Sequence, residues 1–421
     1  MLRSRSTLPA KADAPAARAG WLVASVGSVI GLSIMGDSLL YSVLPLAAPA
    51  LGLTLPQVGV LLSANRLVRL LSNAWAGRIY ERLGPRRPFL GAVLVGLVAT
   101  LLYGLAAGFV LFLAARLLWG IAWSGLRQGG YQAVWTGAPA IKGRLTGLLW
   151  GLVRLGSAIS VMAGGLLYDR YGYSAAVAMA IGAAMAAAVV ALAVQWRMAR
   201  TEPDDPPEEA EADAAPVETA GPWRLTLVRP VQRWLTVASF FEYLLSGIVV
   251  STTAIFVAQQ ATGAGSSGWG LGVATITGML HGVRWLSDLG LGPVVGAISD
   301  HIGQDHAAAA VGVILVAALV GAVTLPPLAA LVCLFVVLLC DGALHVVMSA
   351  AASGAALTSA RPHAFIGVYT TTSDAGSALG PLVAYSLAVV VGLPALYFAG
   401  GACLALALGQ YWRAAQQKAA A

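Results

Sequence analysis

Charge is scarce in this sequence: Asp, Glu, Lys and Arg together make up 10% of its 421 residues. Lysine occurs only at Lys11, Lys142 and Lys418, and no G-x-x-x-x-G-K-[ST] phosphate loop is present, which excludes ATP-driven transport within this chain. Cysteine is equally rare. Cys333, Cys340 and Cys403 lie in apolar runs without CxxC spacing, so they read as packing residues and fix no redox compartment. Neither a nucleophile with its base nor a metal-ligand cluster stands out, so the sequence indicates no enzyme, no metal and no bound cofactor. What remains is apolar: 58% hydrophobic residues, 49 glycines and a mean hydropathy of +0.80. That leaves too little polar surface to cover a soluble globule, and abundant glycine suits helices packed together in lipid. The chain reads as an all-α integral membrane protein.

A helix crossing the roughly 30 Å hydrocarbon core needs about 20 apolar residues. Twelve such runs can be placed, near 21–45, 56–78, 88–107, 109–132, 144–167, 174–196, 231–258, 269–298, 307–325, 328–350, 363–390 and 394–412. The first follows Arg3, Arg5, Lys11 and Arg18 as a secretory signal would. It is too long for one, contains Asp37 and is followed by further spans, so it is expected to stay as the first helix.

The connections divide by charge. Those after odd-numbered runs carry almost no lysine or arginine, with Arg170 beside Asp169 as the exception, whereas the other set holds nearly all of the basic residues. The densest stretch is "GRIYERLGPRR", Gly77 to Arg87, with four arginines. The positive-inside rule then puts both termini and this turn in the cytoplasm, and accounts for the pI of 9.5 without a nucleic-acid partner. Between runs six and seven, "RTEPDDPPEEAEADAAPVETAGPWR" is rich in Pro, Asp, Glu and Ala with little to bury, as a tether would be. The expected organisation is a tail (1–20), a six-helix bundle (21–196), a linker (197–230), a second six-helix bundle (231–412) and a tail (413–421).

The two halves repeat each other. At a shift of 219, "GRIYERLG" (Gly77 to Gly84) overlies "GAISDHIG" (Gly296 to Gly303), and at 220 "RLGSAIS" (Arg154 to Ser160) overlies "DAGSALG" (Asp374 to Gly380). Parallel six-helix repeats are one of the transporter architectures.

On these motifs the sequence resembles the major facilitator superfamily of secondary transporters. Gly77-x-x-x-Glu81-Arg82-x-Gly84-x-Arg86-Arg87 is similar to the family's signature turn between helices two and three, with Glu in place of the usual Asp, and Gly296, Asp300 and Gly303 form a degenerate second copy. "RLLWGIAWSG" (Arg116 to Gly125) resembles the fourth-helix arginine motif and "GDSLLYSVLP" (Gly36 to Pro45) the first-helix aspartate motif. "GSAISVMAGG" (Gly156 to Gly165) matches the antiporter motif only in part, with Ser160 and Val161 where Gly and Pro are usual. The resemblance implies twelve transmembrane helices in two pseudo-symmetric bundles, alternating access, and a latch at Gly77, Glu81, Arg82, Gly84, Arg86 and Arg87 that stabilises one of the two states. The physics of such a latch is simple: Glu81 can accept hydrogen bonds from a neighbouring helix N-terminus, and the arginines meet anionic headgroups.

Charges within the membrane cost several kcal/mol unless paired or hydrated, so they point to function. Candidates for substrate contact or coupling are Asp37, Arg69, Arg116, Arg154, Glu242, Asp288, Asp341, His345 and Asp374. Asp341 and His345, four apart, share a helix face and could relay protons. Arg66 and Arg127 read as snorkelling to the interfaces. Trp75, Trp119, Trp123, Trp135 and Trp150 read as packing or interface residues, with Trp123 a candidate cavity wall. The repeat places Arg69 opposite Asp288 and Arg154 opposite Asp374 in sequence. Because the resembled family packs helix two on eleven and helix five on eight, the resemblance implies crossed salt bridges, Arg69 with Asp374 and Arg154 with Asp288, closed when the cytoplasmic side is closed.

The expected activity is secondary, proton-coupled transport of a small anionic or zwitterionic metabolite by a monomer in the bacterial inner membrane, with lipid and solute as its partners. Proton-driven efflux of lipophilic drugs is the alternative, and a non-transporting receptor or scaffold a remote one.

Overall fold

The computed structural model describes residues 13–105, 108–136, 138, 141–198, 229–263, 270–359 and 362–420, and every regular element in them is a helix. Most of the expected N-terminal tail and linker (1–12 and 199–228) lies outside the described residues. Helix α1 comprises Asp13–Ser33 and Met35–Ala47. Its two pieces form one rod, because Ile34 N–H donates to the Ile30 carbonyl at 2.9 Å and Ser38 N–H to the Ile34 carbonyl at 3.0 Å. Helices α2 (Leu55–Leu83), α3 (Arg86–Leu105), α4 (Gly108–Trp135), α5 (Lys142–Tyr171) and α6 (Tyr173–Met198) complete the first half. The second half contains α7 (Pro230–Gly263), α8 (Val273–Ile302), α9 (Gln304–Thr324) and α10 (Pro327–Leu357). The last helical stretch, Pro362–Ala420, is broken at Gly392 (φ 82°, ψ 157°) into α11 and α12.

Local chemistry sets several of these ends. Thr54 starts α2 with a capping box: its hydroxyl accepts from Gln57 N–H, and Gln57 Oε1 accepts from Thr54 N–H at 2.9 Å. Positive-φ glycines end helices, and they repeat between the halves. Gly52 and Gly270 are 218 positions apart, Gly84 and Gly303 219, and Gly172 and Gly392 220. A positive-φ glycine recurring at a separation of 218 to 220 is the backbone counterpart of the sequence repeat. Among the described residues, nine helical segments are long and apolar enough to cross a membrane, one of which holds both α11 and α12. The segments short of that apolar threshold are α2 and α8, where Arg66 and Arg69 and then His281, Arg284 and Asp288 interrupt the apolar run.

The halves meet through α5 on α8 and α2 on α11. At the end of the molecule bearing the α5–α6 turn these contacts are tight. A Cβ at Gly165 would collide with the Ala274 carbonyl, one at Gly278 with the Val161 carbonyl, and one at Gly59 with Pro381 and Tyr385. Asp169, at the end of α5, caps the other half's α8: its carboxylate accepts from Ala274 N–H (3.3 Å), Thr275 N–H (2.7 Å) and Thr275 Oγ1 (2.6 Å). At the opposite, arginine-rich end the same helices splay. Side chains at Gly77, Gly147, Gly296 or Gly367 would meet nothing within 4 Å.

Candidate functional site

A cavity of about 700 Å³ lies between the halves. It reaches the arginine-rich end, since Gly147 and Gly151 of α5 and Leu289 and Pro293 of α8 form part of its wall. The tight α5–α8 and α2–α11 contacts seal it at the other end.

Three ion pairs and one carboxylate–imidazole contact organise its polar lining. In the first, Arg116 of α4 is fully buried and pairs with Asp37 of α1. Arg116 Nε also donates to the Leu61 carbonyl at 2.8 Å, and Asn65 Nδ2 donates to Asp37 Oδ1 at 3.0 Å. The arginine of the fourth-helix motif is therefore a buried cation paired with the first-helix aspartate. In the second half, Arg284 of α8 pairs with Asp341 of α10, and Ser246 of α7 donates to the same carboxylate oxygen at 3.0 Å. Between the halves, Arg154 Nε lies 3.6 Å from Asp288 Oδ2. The carboxylate–imidazole contact joins Glu242 of α7 to His345 Nδ1 at 3.7 Å, with Tyr243 Oη 3.1 Å from His345 Nε2.

Several sequence expectations change here. Asp341 and His345 share α10 and each has a partner on a facing helix: Arg284 of α8 takes the aspartate and Glu242 of α7 the histidine. One crossed bridge is present, Arg154 with Asp288, and it is closed while the arginine-rich end is open, the opposite of the expected timing. The other is not formed. Asp374 lies outside the cavity lining without an ion pair among the described residues, and Arg66, one turn from Arg69, spans the gap between halves by donating to the Ser377 carbonyl at 2.8 Å and to its hydroxyl. Arg66 was expected to snorkel; the nearby α11 acceptor holds it instead. Arg69 lines the cavity with no hydrogen bond or carboxylate within 4 Å among the described residues. In the turn motif Glu81 and Arg82 are exposed, and Glu81 has no hydrogen bond or ion pair among the described residues. Asp300 of the second copy is likewise exposed. Asn65, Tyr243 and Ser246 carry no charge that would single them out in the sequence, whereas Arg284 is one of the charges at membrane depth on α8.

Residues 26–290 match the family model of the Major Facilitator Superfamily. The chain belongs to this superfamily. Segments of it are similar to two curated members: 32% identity over 121 residues to "MFS-type transporter ppzB" of Metarhizium rileyi, and 29% over 119 residues to "Probable vesicular acetylcholine transporter-B" of Danio rerio. Those matches span 27% and 28% of this chain, and 25% and 24% of the relatives' lengths. Among solved structures the fold matches a bacterial homologue of the human lysosomal transporter Spinster in an inward-facing, unoccupied conformation (TM-score 0.72, 16% identity, 95% of this chain and 97% of that one). It also matches a point mutant of the nucleoside transporter NupG (0.74, 10%, 94% and 99%). At these identities the structural likeness establishes the fold, a multi-pass membrane transporter fold of the superfamily.

Proposed function

We propose that the protein moves a small organic anion or zwitterion across the membrane by alternating access, coupled to protons. One observation carries the choice of solute. Asp37, Asp288 and Asp341 on the cavity wall pair with Arg116, Arg154 and Arg284, and Glu242 faces the His345 imidazole, whereas Arg66 and Arg69 face the cavity with no carboxylate partner among the described residues. A guanidinium at Arg69 with no hydrogen bond of its own, beside an Arg66 held only by Ser377, favours a carboxylate or phosphate, which Arg69 can grip through two parallel hydrogen bonds.

Proton coupling is supported by Glu242. It is 3% exposed, its Oε2 has no hydrogen-bond partner, and its other oxygen faces a histidine on the cavity wall. A buried carboxylate beside an imidazole can take up and release a proton as the cavity changes sides. With the arginine-rich end in the cytoplasm, the described state opens inward. The same reading puts the chain in a bacterial inner membrane as a monomer, with the proton gradient as its energy source and no bound cofactor.

A second reading rests on the zebrafish relative, whose name points to a cation, and on the indoles in the cavity, which could hold one through cation–π contact. Binding of carboxylates, organic phosphates and cationic dyes to the purified protein in lipid nanodiscs separates the two. Binding of anions, weakened by Arg69→Gln, supports the proposal; tight dye binding that anions do not displace reverses it.

A further inference from the structure

Four indoles line the cavity: Trp119 and Trp123 of α4, Trp150 of α5 and Trp285 of α8. Their placement beside the unpaired arginine is fixed by how α2 packs on α4. Gly120 lies against Asn65 and Val68 on one side of Arg69, and Ser124 Oγ is 2.7 Å from Ser72 Oγ on the other. Arg69 and Trp123 therefore sit at the same depth on neighbouring helices, both on the cavity wall. Beyond Trp123 the aromatic surface continues. Its ring centroid is 6.3 Å from that of Trp119 and 6.4 Å from that of Trp150, which in turn meets the edge of Tyr131 at 6.0 Å. Trp119 is almost fully buried and serves as backing, whereas Trp150 is only half-buried and opens onto the cavity.

We propose that the cavity selects organic anions bearing a flat aromatic ring, with the anionic group on Arg69 and the ring against Trp123 and Trp150. This rests on the anion reading above and narrows it to aryl carboxylates and related aryl acids. The physical basis is that ring quadrupoles favour offset or edge-on contact with another aromatic ring over contact with a saturated ring of the same size.

Phenylacetate and cyclohexylacetate test this directly, because they share charge and nearly share size, and the saturated ring is the more hydrophobic. Phenethylamine supplies the aryl cation. Equilibrium binding to the full chain in nanodiscs should favour phenylacetate over cyclohexylacetate by roughly three- to tenfold. Trp150→Ala should bring that ratio close to one, and Trp150→Phe, which keeps a ring, should retain part of it. If the alanine variant does not fold, the wild-type ratio and the phenylalanine variant still decide. Equal affinity for the two acids, or a ratio that survives Trp150→Ala in folded protein, overturns the aromatic subsite while leaving the anion reading intact. Binding of phenethylamine with neither acid bound overturns the anion reading and this inference with it.

Discussion

Removing the charge of Asp37 strands a guanidinium that has no access to water. Arg116 is 0% exposed, and besides the carboxylate its hydrogen-bond acceptors are the Leu61 carbonyl and, at 3.5 Å, the Tyr103 hydroxyl. For a contact pair at roughly 3 Å and an effective dielectric of about 20, the Coulomb attraction is about 5 kcal/mol. Burying each ion costs several kcal/mol, so the intact pair is near balance and the broken pair is not. Asp37→Asn or Arg116→Met alone should therefore destabilise the fold by about 3–5 kcal/mol, whereas Asp37→Leu with Arg116→Met should recover most of that loss. Thermal unfolding in detergent, followed by loss of the monodisperse species, reads the cycle as a drop of several degrees for each single variant and a partial return for the double. The double variant also separates stability from transport, because Asp37 lines the cavity and its loss should leave flux impaired in a folded protein. Single variants as stable as the parent, or losses that simply add in the double variant, would refute the coupling.

Asp169→Ala removes three hydrogen bonds that tie α8 to α5, each worth roughly 1.5–3 kcal/mol to a charged acceptor, and should raise labelling of a cysteine placed at Thr277 from the α5–α6 turn side by at least about tenfold, the factor for one such bond. Unchanged labelling would show that glycine packing alone holds that end closed. Arg154→Asp places two carboxylates across the α5–α8 interface and should abolish flux, while adding Asp288→Arg should restore part of it; a double swap no better than either single variant removes the bridge from the transport cycle. Glu242→Gln should keep solute binding but lose the response of flux to an imposed pH gradient, and a fully retained response would move the proton site elsewhere.

Much of the architecture could be read from the chain because lipid imposes a simple code. Length and apolarity located the spans, and α2 and α8 remained visible despite their charges because those charges are single interruptions in long apolar runs. The repeat, crossed by the helix packing that the family resemblance implies, paired Arg154 with Asp288, and they do meet. Arg69 and Asp374 are apart in this state, as the crossed pairing expects of one open at the arginine-rich end, and Arg66 bonds Ser377 of the facing helix. Spacing along α10 put Asp341 and His345 on one face. Which of them would be taken by α7 and which by α8 depends on packing between helices that are distant in sequence. The turn motif was legible as a motif, and the structure leaves its Glu81 and Arg82 exposed.

Flux into proteoliposomes tests the central claim most directly. Labelled phenylacetate should accumulate when a pH gradient is imposed, respond little to a sodium gradient, and be lost in Arg69→Gln while Arg69→Lys keeps a fraction of it. Flux of the anion that ignores the pH gradient and survives Arg69→Gln, or no flux of any organic anion by protein that transports cations, would contradict the account.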